Sequence, residues 1–311
     1  MLAFVTAEES SMDAFLSVSE GSRYQPDLQA YADSLLEQRH TRSDWCVLGL
    51  DGGVPVARAA FWALPDQPVP TDTVLIETDW HDADLSAGQT LLARMHELAG
   101  ELGADGLSHS VDSPPASPQY QEDEDARIRL LEETGYELLR DGLRWRYATA
   151  EDAGPSQPLV FRPLPEVGEE VFVEAMASTY EGTRDSWLTR NIQARGLFGA
   201  ARADYTDYQG LDHLPEWWEL AYTEDGGLAG VMMAARNPTA ALIAYVGVVP
   251  EQRGRGLAQQ LVRRGTELLV ESSATEIRGD CDRENIGMVK AFERAGYDQF
   301  ARRRTYHHTF A

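Results

Sequence analysis

The feature that most constrains the fold is a strand, a glycine-rich turn and a helix written in succession near the C-terminal end. A β-branched run over 246–249 ends at Pro250, and the basic turn 253–256 follows it. Apolar residues then recur at helical spacing, at Leu257, Leu261, Leu268 and Leu269. The first N–H groups of a helix lack intrahelical acceptors and carry partial positive charge. The segment therefore predicts a site for phosphate oxygens, where Gly254 and Gly256 leave room for a ligand at the backbone.

The spacing within this turn excludes two common nucleotide-binding loops. It contains neither G-x-x-x-x-G-K-[ST] nor a G-x-G-x-x-G that opens a dinucleotide-binding unit. It does contain Arg-x-x-Gly-x-Ala, from Arg253 through Gly256 to Ala258. That pattern resembles the pyrophosphate loop of the GNAT acyltransferases, which bind acetyl-coenzyme A. The alternative is an ordinary β–α turn that happens to contain glycine.

A second segment, 280–297, is similar to the last helix of the same family. In it Asn285 is followed seven residues later by the aromatic Phe292, and Gly296 and Tyr297 close the segment. Four apolar residues share one face of the predicted helix: Met288, Ala291, Phe292 and Ala295. Gly296 is the expected residue just past the helix end, and Tyr297 should begin the next strand. Two motifs in the right order identify the C-terminal half as a GNAT domain.

The two halves of the chain echo each other weakly. Each has a strand, an Asp-Gly-Gly hairpin turn and a returning strand, at 45–53 and at 218–227. Each also ends in a helix, a Gly-Tyr pair and a basic strand. The predicted fold class is α/β, in the α+β sense, with two tandem GNAT domains, each a mixed, mostly antiparallel sheet flanked by helices. The predicted domains are 1–150 and 159–311, with a linker rich in Gly, Pro and acidic residues at 149–158.

The N-terminal copy lacks the phosphate loop. Where the loop would stand, the sequence carries Asp79, Asp82 and Asp84 ahead of a helix that begins near Ala87. Carboxylates there would repel a pyrophosphate. We therefore expect a degenerate domain that supports the second one and contributes a wall of its substrate cleft. The proline-rich, acidic segment 111–125 is predicted to be a mobile loop.

The formal net charge of −24 argues against nucleic acid and anionic lipid as partners, because both bind clustered Lys and Arg. The same charge would attract cations, although it would also serve solubility alone.

No run of eighteen apolar residues and no basic leader is present, so we expect a cytoplasmic protein. Cys46 and Cys281 are expected to be free thiols, and no metal site is predicted. The expected state is a monomer, with its two domains as a pseudo-dimer, or a homodimer.

The resemblance implies acetyl-coenzyme A as co-substrate. The strand 242–249 would hold its pantetheine arm by backbone hydrogen bonds, splayed from the next strand at 276–279. An N–H of this strand, at Val248 or its neighbour, would polarise the thioester oxygen. The implied coenzyme-binding residues are Val246, Val248, Arg253, Gly254, Arg255, Gly256, Leu257, Ala258, Asn285 and Phe292. Many family members have a tyrosine at the position of Phe292, and phenylalanine cannot protonate a leaving thiolate.

The catalytic residues predicted for the second half are Glu181, Asp185 and Tyr245. Glu181 and Asp185 lie one helical turn apart in sequence, in a segment that borders the acceptor site in this family; the alternative is a solvated helix end. Tyr245 is the polar side chain on a strand that lacks the glutamate of mycothiol synthase, and packing is its more ordinary role. Asp280 and Asp282 are second candidates for the base, or caps of the following helix.

These residues predict an N-acetyltransferase that acts on an amine of a cationic small molecule. With its acidic, Arg-rich and Lys-poor composition, the chain resembles tandem-GNAT antibiotic self-resistance enzymes, of which capreomycin acetyltransferase is one kind. A basic antibiotic, either a cyclic peptide or an aminoglycoside, is the expected acceptor. The alternatives are a housekeeping enzyme of the mycothiol-synthase type and a non-catalytic acyl-coenzyme A sensor.

Overall fold

The computed structural model describes residues 2–19, 21–65, 67–147, 159–237 and 240–310. The chain divides into two compact units, of which the second is contiguous in sequence and the first is not. Unit 1 contains the residues up to Arg140 and those from Arg303 onward, and unit 2 runs from Asp141 to Arg302. The predicted linker at 149–158 lies outside the described residues. The predicted domain ranges, 1–150 and 159–311, stay a prediction. The two units differ from these ranges, because the first boundary lies at Arg140 and the residues from Arg303 onward belong to unit 1.

Unit 1 is built from the following elements: β1 (Ala3–Thr6), α1 (Met12–Leu16), α2 (Gln25–Glu37), β2 (Cys46–Asp51), β3 (Val54–Trp62), β4 (Asp72–Glu77), α3 (Ser86–Glu101), β5 (Gly106–Ser113) and α4 (Glu124–Glu133). Antiparallel pairs join β1 to β2, β2 to β3 and β3 to β4, while β4 and β5 are parallel. The predicted hairpin turn is present, with positive φ at Gly52 and Gly53. Two apolar clusters form on this sheet, one beneath α1 and α2 and one beneath α3 and α4.

Unit 2 follows the same plan. Its elements are β7 (Leu159–Pro163), α5 (Leu164–Val167), α6 (Glu169–Tyr180), α7 (Ser186–Gln209), β8 (Trp218–Thr223), β9 (Leu228–Arg236), β10 (Ala241–Val248), α8 (Leu257–Glu271), β11 (Ile277–Asp282) and α9 (Ile286–Arg294). The strands β7 to β10 pair antiparallel in order, and β10 is parallel to β11. Gly296 (φ +85°) ends α9 and a strand begins at Tyr297, as predicted. The strand pairing within each unit is therefore mixed and mostly antiparallel, which confirms the predicted fold class.

Two long strands belong partly to each unit. They are β6 (Glu137–Tyr147) and β12 (Tyr297–Thr309). The second part of β6 lies in unit 2, where it pairs antiparallel with β11 from Gly142 opposite Asp282 to Arg146 opposite Arg278. The last part of β12 lies in unit 1 beside β5, where the Arg303 guanidinium contacts the Asp112 carboxylate at 2.7 and 2.8 Å. The last strand segment of the N-terminal half of the sequence therefore belongs to unit 2, and the last strand segment of the C-terminal half belongs to unit 1.

Trp145 shows why this exchange matters for unit 2. Its indole ring, on β6, stacks on Phe292 of α9 with ring centroids 5.8 Å apart and 9° between the planes. Its indole N–H donates to the Cys281 sulfur at 3.3 Å. The core of unit 2 thus includes a residue that precedes the predicted linker. In the described part of the chain, none of the helices has the length and apolar character needed to cross a membrane.

Candidate active site

The strands β10 and β11 form an open cleft. Among the described residues they pair at Ala241 opposite Ile277 and Leu242 opposite Arg278 and no further, although both strands continue for several residues beyond these pairs. The register of β10 against β9 also shifts between Ile243 and Tyr245. Beyond that shift, no strand in the described part of the chain pairs with the β11-facing edge of β10. This is the splay that the family resemblance implies for the pantetheine arm.

The glycine-rich turn connects the end of β10 to α8. Gly254 and Gly256 have φ of +78° and +77°, a backbone conformation that glycine adopts without strain. A Cβ atom at either glycine would meet only open space. Gly256 is the N-cap of α8 and no side chain caps the helix. Within the described residues, the N–H groups of Gly254, Arg255, Gly256 and Leu257 have no acceptor. The turn therefore presents free donors at a positive helix end, which suits phosphate oxygens.

The side chain of Arg253 holds this turn in place. Its guanidinium donates to three backbone carbonyls: Val248 at 3.0 Å, Thr179 at 3.0 Å and Gly182 at 3.4 Å. These carbonyls lie at the end of β10 and around the end of α6. The guanidinium of Arg255, by contrast, donates to the side chain of the half-buried Gln252 at 2.8 Å and to no backbone carbonyl of the described residues. Arg253 is thus placed as a clamp, whereas Arg255 is the arginine whose charge is available to a ligand.

Asn285 and Phe292 occupy defined structural positions on α9. Asn285 is the N-cap, and its side-chain oxygen accepts from the Met288 N–H at 3.4 Å. Phe292 is buried and packs edge-on against Tyr297, with centroids 5.2 Å apart. A Cβ at Gly279 of β11 would lie 2.5 Å from the Phe292 ring, so this glycine allows α9 to approach the strand. Phe292 is therefore a core residue behind the cleft.

Tyr245 lies on the α6 side of β10 and is buried. Its hydroxyl donates to the Thr179 hydroxyl at 2.6 Å, which in turn donates to the Met176 carbonyl at 2.7 Å. Burial raises the pKa of Tyr245 well above its ordinary value, and the hydrogen bond with Thr179 opposes the shift only partly. The phenol therefore stays protonated. Tyr245 can position groups near the cleft but is poorly suited to accept a proton.

Glu181 and Asp185 do not share a helix, and this part of the prediction is wrong. Glu181 follows the last residue of α6 as its C-cap, and Asp185 is the N-cap of α7, where it accepts from the Leu188 N–H at 2.9 Å. Gly182, with φ of +62°, breaks the helix between them. Glu181 is exposed, and its carboxylate makes no hydrogen bond or ion pair within the described residues. The Asp185 carboxylate is therefore used to cap α7, whereas the Glu181 carboxylate is available to a ligand.

The second candidates, Asp280 and Asp282, lie at the open end of β11. Asp282 is buried and accepts from both the N–H, at 2.7 Å, and the hydroxyl of Ser186, so it anchors the start of α7. It does not cap α9, since Asn285 does so. Asp280 is exposed and lies 3.7 Å from the Arg144 guanidinium. The sequence did not predict these contacts, and the catalytic role of the two residues stays a prediction.

A buried polar group on α7 was missed by the sequence reasoning. Asp204 accepts from the Tyr180 hydroxyl and from the Asn191 side-chain amide, both at 2.8 Å. Burial raises the pKa of its carboxyl. The helix is interrupted between Asn191 and Asp204 by Gly196, which has φ of +71° and ψ of 170°. Asp204 thus joins the two parts of α7 beside Tyr180, and only long-range contact reveals this role.

Comparison with known proteins agrees with this geometry. Residues 181–297 match the model of the acetyltransferase (GNAT) family. A search of curated proteins found no match. Among solved structures, a GCN5-related N-acetyltransferase from Sphaerobacter thermophilus is similar over 99% of this chain and 95% of that one, with 18% identity and a TM-score of 0.63.

Two further structures share the fold. A tandem GNAT protein from the clavulanic acid biosynthesis pathway aligns over 99% of this chain and 98% of that one, with 17% identity and a TM-score of 0.56. A GCN5-related glucosamine N-acetyltransferase region of a fungal β-N-acetylglucosaminidase aligns over 99% of this chain and 38% of that one, with 15% identity and a TM-score of 0.59. Unit 2 therefore contains a segment, 181–297, that matches the acetyltransferase (GNAT) family, and the chain shares its fold with these solved structures.

Proposed function

We propose that the protein acetylates an amine of a cationic small molecule, and that the acceptor class is a basic antibiotic, either a cyclic peptide such as capreomycin or an aminoglycoside. One observation carries this proposal: an acidic rim at the open end of the cleft, formed by Glu181, Asp185, Asp280 and Asp282. Acetylation would remove the positive charge of the amine and so weaken recognition of the compound by anionic RNA.

The rim is fixed to the cleft from both sides. Arg253 ties the carbonyls on either side of Glu181 to the end of β10. Ser186, next to Asp185, is bonded to Asp282 at the end of β11. These carboxylates therefore border the splayed strands and are not scattered over the surface. An acidic rim in a chain of net charge −24 concentrates cations near it.

The coenzyme side of the site has matching chemistry. Acetyl-coenzyme A supplies the acetyl thioester. We assign its pyrophosphate to the free N–H groups of Gly254, Arg255 and Gly256 together with the Arg255 side chain. We assign its pantetheine arm to the unpaired edge of β10, including Val246 and Val248. Leu257, Ala258 and Asn285 border this path, and Phe292 supports it from the core.

We assign the proton acceptor to Glu181. The attacking amine must lose one proton as its nitrogen bonds to the acetyl carbon and the carbon–sulfur bond breaks. Glu181 is the rim carboxylate that makes no bond within the described residues, whereas Asp185 and Asp282 hold α7 in place. The thiolate leaves without an acid, because a thiol with a pKa of about 8.5 is a good leaving group.

The acceptor class is tested by measuring thiol release from acetyl-coenzyme A with a panel of amines, followed by the masses of the products. We expect a mass gain of one acetyl group on basic antibiotics and little turnover of neutral or acidic amines. Turnover confined to an amino-sugar thiol would support the mycothiol-synthase type. Tight coenzyme binding without any turnover would support a sensor. Either result would overturn the proposal.

The role of Glu181 is tested by Glu181→Gln. We expect kcat/KM to fall by about 10²- to 10⁴-fold with unchanged coenzyme affinity. Glu224→Gln, at an exposed hairpin turn of the same unit, is the matched control and should leave both quantities unchanged. A Glu181→Gln enzyme with full activity would assign the base elsewhere.

A further inference from the structure

Unit 1 has its own splayed strand pair. The parallel strands β4 and β5 pair only at Asp72 opposite Ser108. The register of β3 against β4 shifts between Arg58 and Ala60, as the register of β9 against β10 does in unit 2. Leu75, in the irregular part of β4, has φ of +55°. Unit 1 therefore retains the cleft geometry that unit 2 offers to the pantetheine arm.

The chain that follows this cleft is longer in unit 1. Ten residues, 114–123, connect β5 to α4, whereas three residues, 283–285, connect β11 to α9. The longer connection overlaps the segment predicted to be a mobile loop. That prediction is wrong at its ends, because β5 continues to Ser113 and α4 begins at Glu124. Between them the connection makes specific contacts with both strands.

Gln119 in this connection bonds to β4. Its side-chain oxygen accepts from the Leu75 N–H at 2.9 Å. The neighbouring Tyr120 stacks on Tyr24, with ring centroids 4.7 Å apart, which holds the connection from the other side. An N–H in the irregular part of β4, left without a strand partner by the splay, is therefore satisfied by a carboxamide of the same chain.

Gln121 bonds to β5 and, through one histidine, to β4. It is buried; its side-chain oxygen accepts from the Asp112 N–H at 3.1 Å, and its side-chain nitrogen donates to the Ser110 carbonyl at 2.9 Å. The same nitrogen lies 3.1 Å from Nε2 of His109, whose Nδ1 lies 2.8 Å from the Thr73 carbonyl. A carbonyl can only accept, so Nδ1 carries the proton and Nε2 accepts from Gln121. This chain of bonds crosses the splay.

We infer that residues 114–121 fill the place in unit 1 that the pantetheine arm of an acyl-coenzyme A would take. The carboxamides of Gln119 and Gln121 stand in for the two amide groups of that arm, since each satisfies strand-edge groups by the bonds an amide makes. Unit 1 therefore holds a closed pantetheine cleft. Once opened, it would accept neutral pantetheine but not the whole coenzyme, because Asp82 already accepts from the N–H groups before α3. The inference concerns unit 1 and does not depend on the proposed acceptor.

The first test is amide hydrogen exchange on the full chain. In the wild-type protein, the N–H groups of Leu75 and Asp112 should be protected. Gln119→Ala should speed exchange at Leu75 by tenfold or more, and Gln121→Ala should do the same at Asp112. Gln67→Ala, at an exposed loop glutamine of unit 1, is the matched control and should change neither. Unchanged exchange at Leu75 in Gln119→Ala would overturn the inference.

The second test opens the cleft. In this variant, residues 114–123 are replaced by the three-residue connection of unit 2, Arg-Glu-Asn. Pantetheine is titrated by calorimetry with unit 2 saturated by coenzyme A. The wild type should bind one coenzyme A and no pantetheine, and the folded variant should gain one pantetheine site. Two coenzymes on the wild type, or a folded variant that binds no pantetheine, would overturn the inference. If the variant does not fold, the exchange result decides.

Discussion

The helices α3 and α8 occupy corresponding places in the two units, yet their N-termini have opposite fates. The N–H groups before α8 are free and flanked by glycines with positive φ. Before α3, the Asp82 carboxylate accepts from the Ser86 N–H at 3.1 Å and from the Asp84 N–H at 3.2 Å. These bonds, the one from Ser86 first, lower the pKa of Asp82. The corresponding helix terminus thus offers free donors in one unit and is bonded to an internal carboxylate in the other.

The strand clefts repeat this contrast. The cleft of unit 2 is open beyond Leu242 and Arg278, whereas that of unit 1 is crossed by Gln119 and Gln121. We therefore infer that side chains occupy both parts of a coenzyme's place in unit 1. The Asp82 carboxylate takes the place of the pyrophosphate, and the Gln119 and Gln121 carboxamides take the place of the pantetheine amides. A duplicated fold can lose a ligand and stay stable by satisfying the same backbone groups internally.

The largest effect on this comparison should come from Phe292→Ala, which removes the aromatic support of the open cleft. Phe292 is 1% exposed and stacks on Trp145, so the loss should destabilise unit 2 by about 3–5 kcal/mol. Denaturant unfolding followed by tryptophan fluorescence measures the change. Ile286→Ala, at an exposed position on the same helix, should cost less than about 0.5 kcal/mol. Equal costs would place Phe292 outside the core.

The next largest effect is expected on the free energy of unfolding in acid, through His109, which bonds across the closed cleft of unit 1. Burial lowers the pKa of His109 from 6.5 to about 4. Between those values the unfolded chain binds a proton that the folded chain does not, so stability is complete above about pH 6.5 and falls as the pH drops to about 4. This should amount to about 3 kcal/mol.

The measurement is the free energy of unfolding at pH 7 and at pH 4 for the wild type and His109→Asn. The difference between the two proteins should shift by about 3 kcal/mol in favour of the variant at the lower pH. His81→Asn, at an exposed histidine of unit 1, should show no such shift. A parallel pH dependence of wild type and His109→Asn would contradict a neutral His109 in the bonded chain.

A smaller effect is expected from Gly256→Val, in which the valine side chain should block access to the N-terminus of α8. The new side chain would enter the space where phosphate oxygens meet the backbone, and coenzyme affinity should fall at least tenfold, or about 1.4 kcal/mol. Calorimetry measures the affinity. Gly103→Val is the matched control, because Gly103 also has positive φ and open space at its Cβ but lies in unit 1. Unchanged affinity in Gly256→Val would move the pyrophosphate away from this turn.

The smallest effect is expected from Asp82→Ala. The variant loses the internal acceptor for the Ser86 and Asp84 N–H groups, so the thermal midpoint of unit 1 should fall slightly. No second coenzyme should bind, because Gln119 and Gln121 still occupy the strand cleft. If this variant bound two coenzymes per chain, the charge of Asp82 alone would be what excludes a coenzyme from unit 1 of the wild type.

The sequence predicted the repeated fold, because its signals are local: alternating strands, Asp-Gly-Gly turns and the Gly296 helix stop. It also predicted the turn at Gly254 and Gly256, since glycine marks backbone that a side chain would obstruct. It did not predict the Arg253 clamp or the Asp204 bonds, because both depend on residues tens of positions apart. The helix break at Gly182, which separates Glu181 from Asp185, was missed for a different reason: a single glycine does not by itself end a helix.

The exchanged ends of β6 and β12 have a consequence for how the chain is made. The part of β12 that lies in unit 1 contributes hydrogen bonds from Arg303 to Asp112, between Thr305 and Ser110, and between His307 and Ser108. A ribosome makes these residues about two hundred positions after their partners. Unit 1 therefore cannot acquire its final strand until unit 2 has been synthesised. Synthesis of the last part of β12, and not the length of the nascent N-terminal half, should set the moment at which unit 1 becomes resistant to protease.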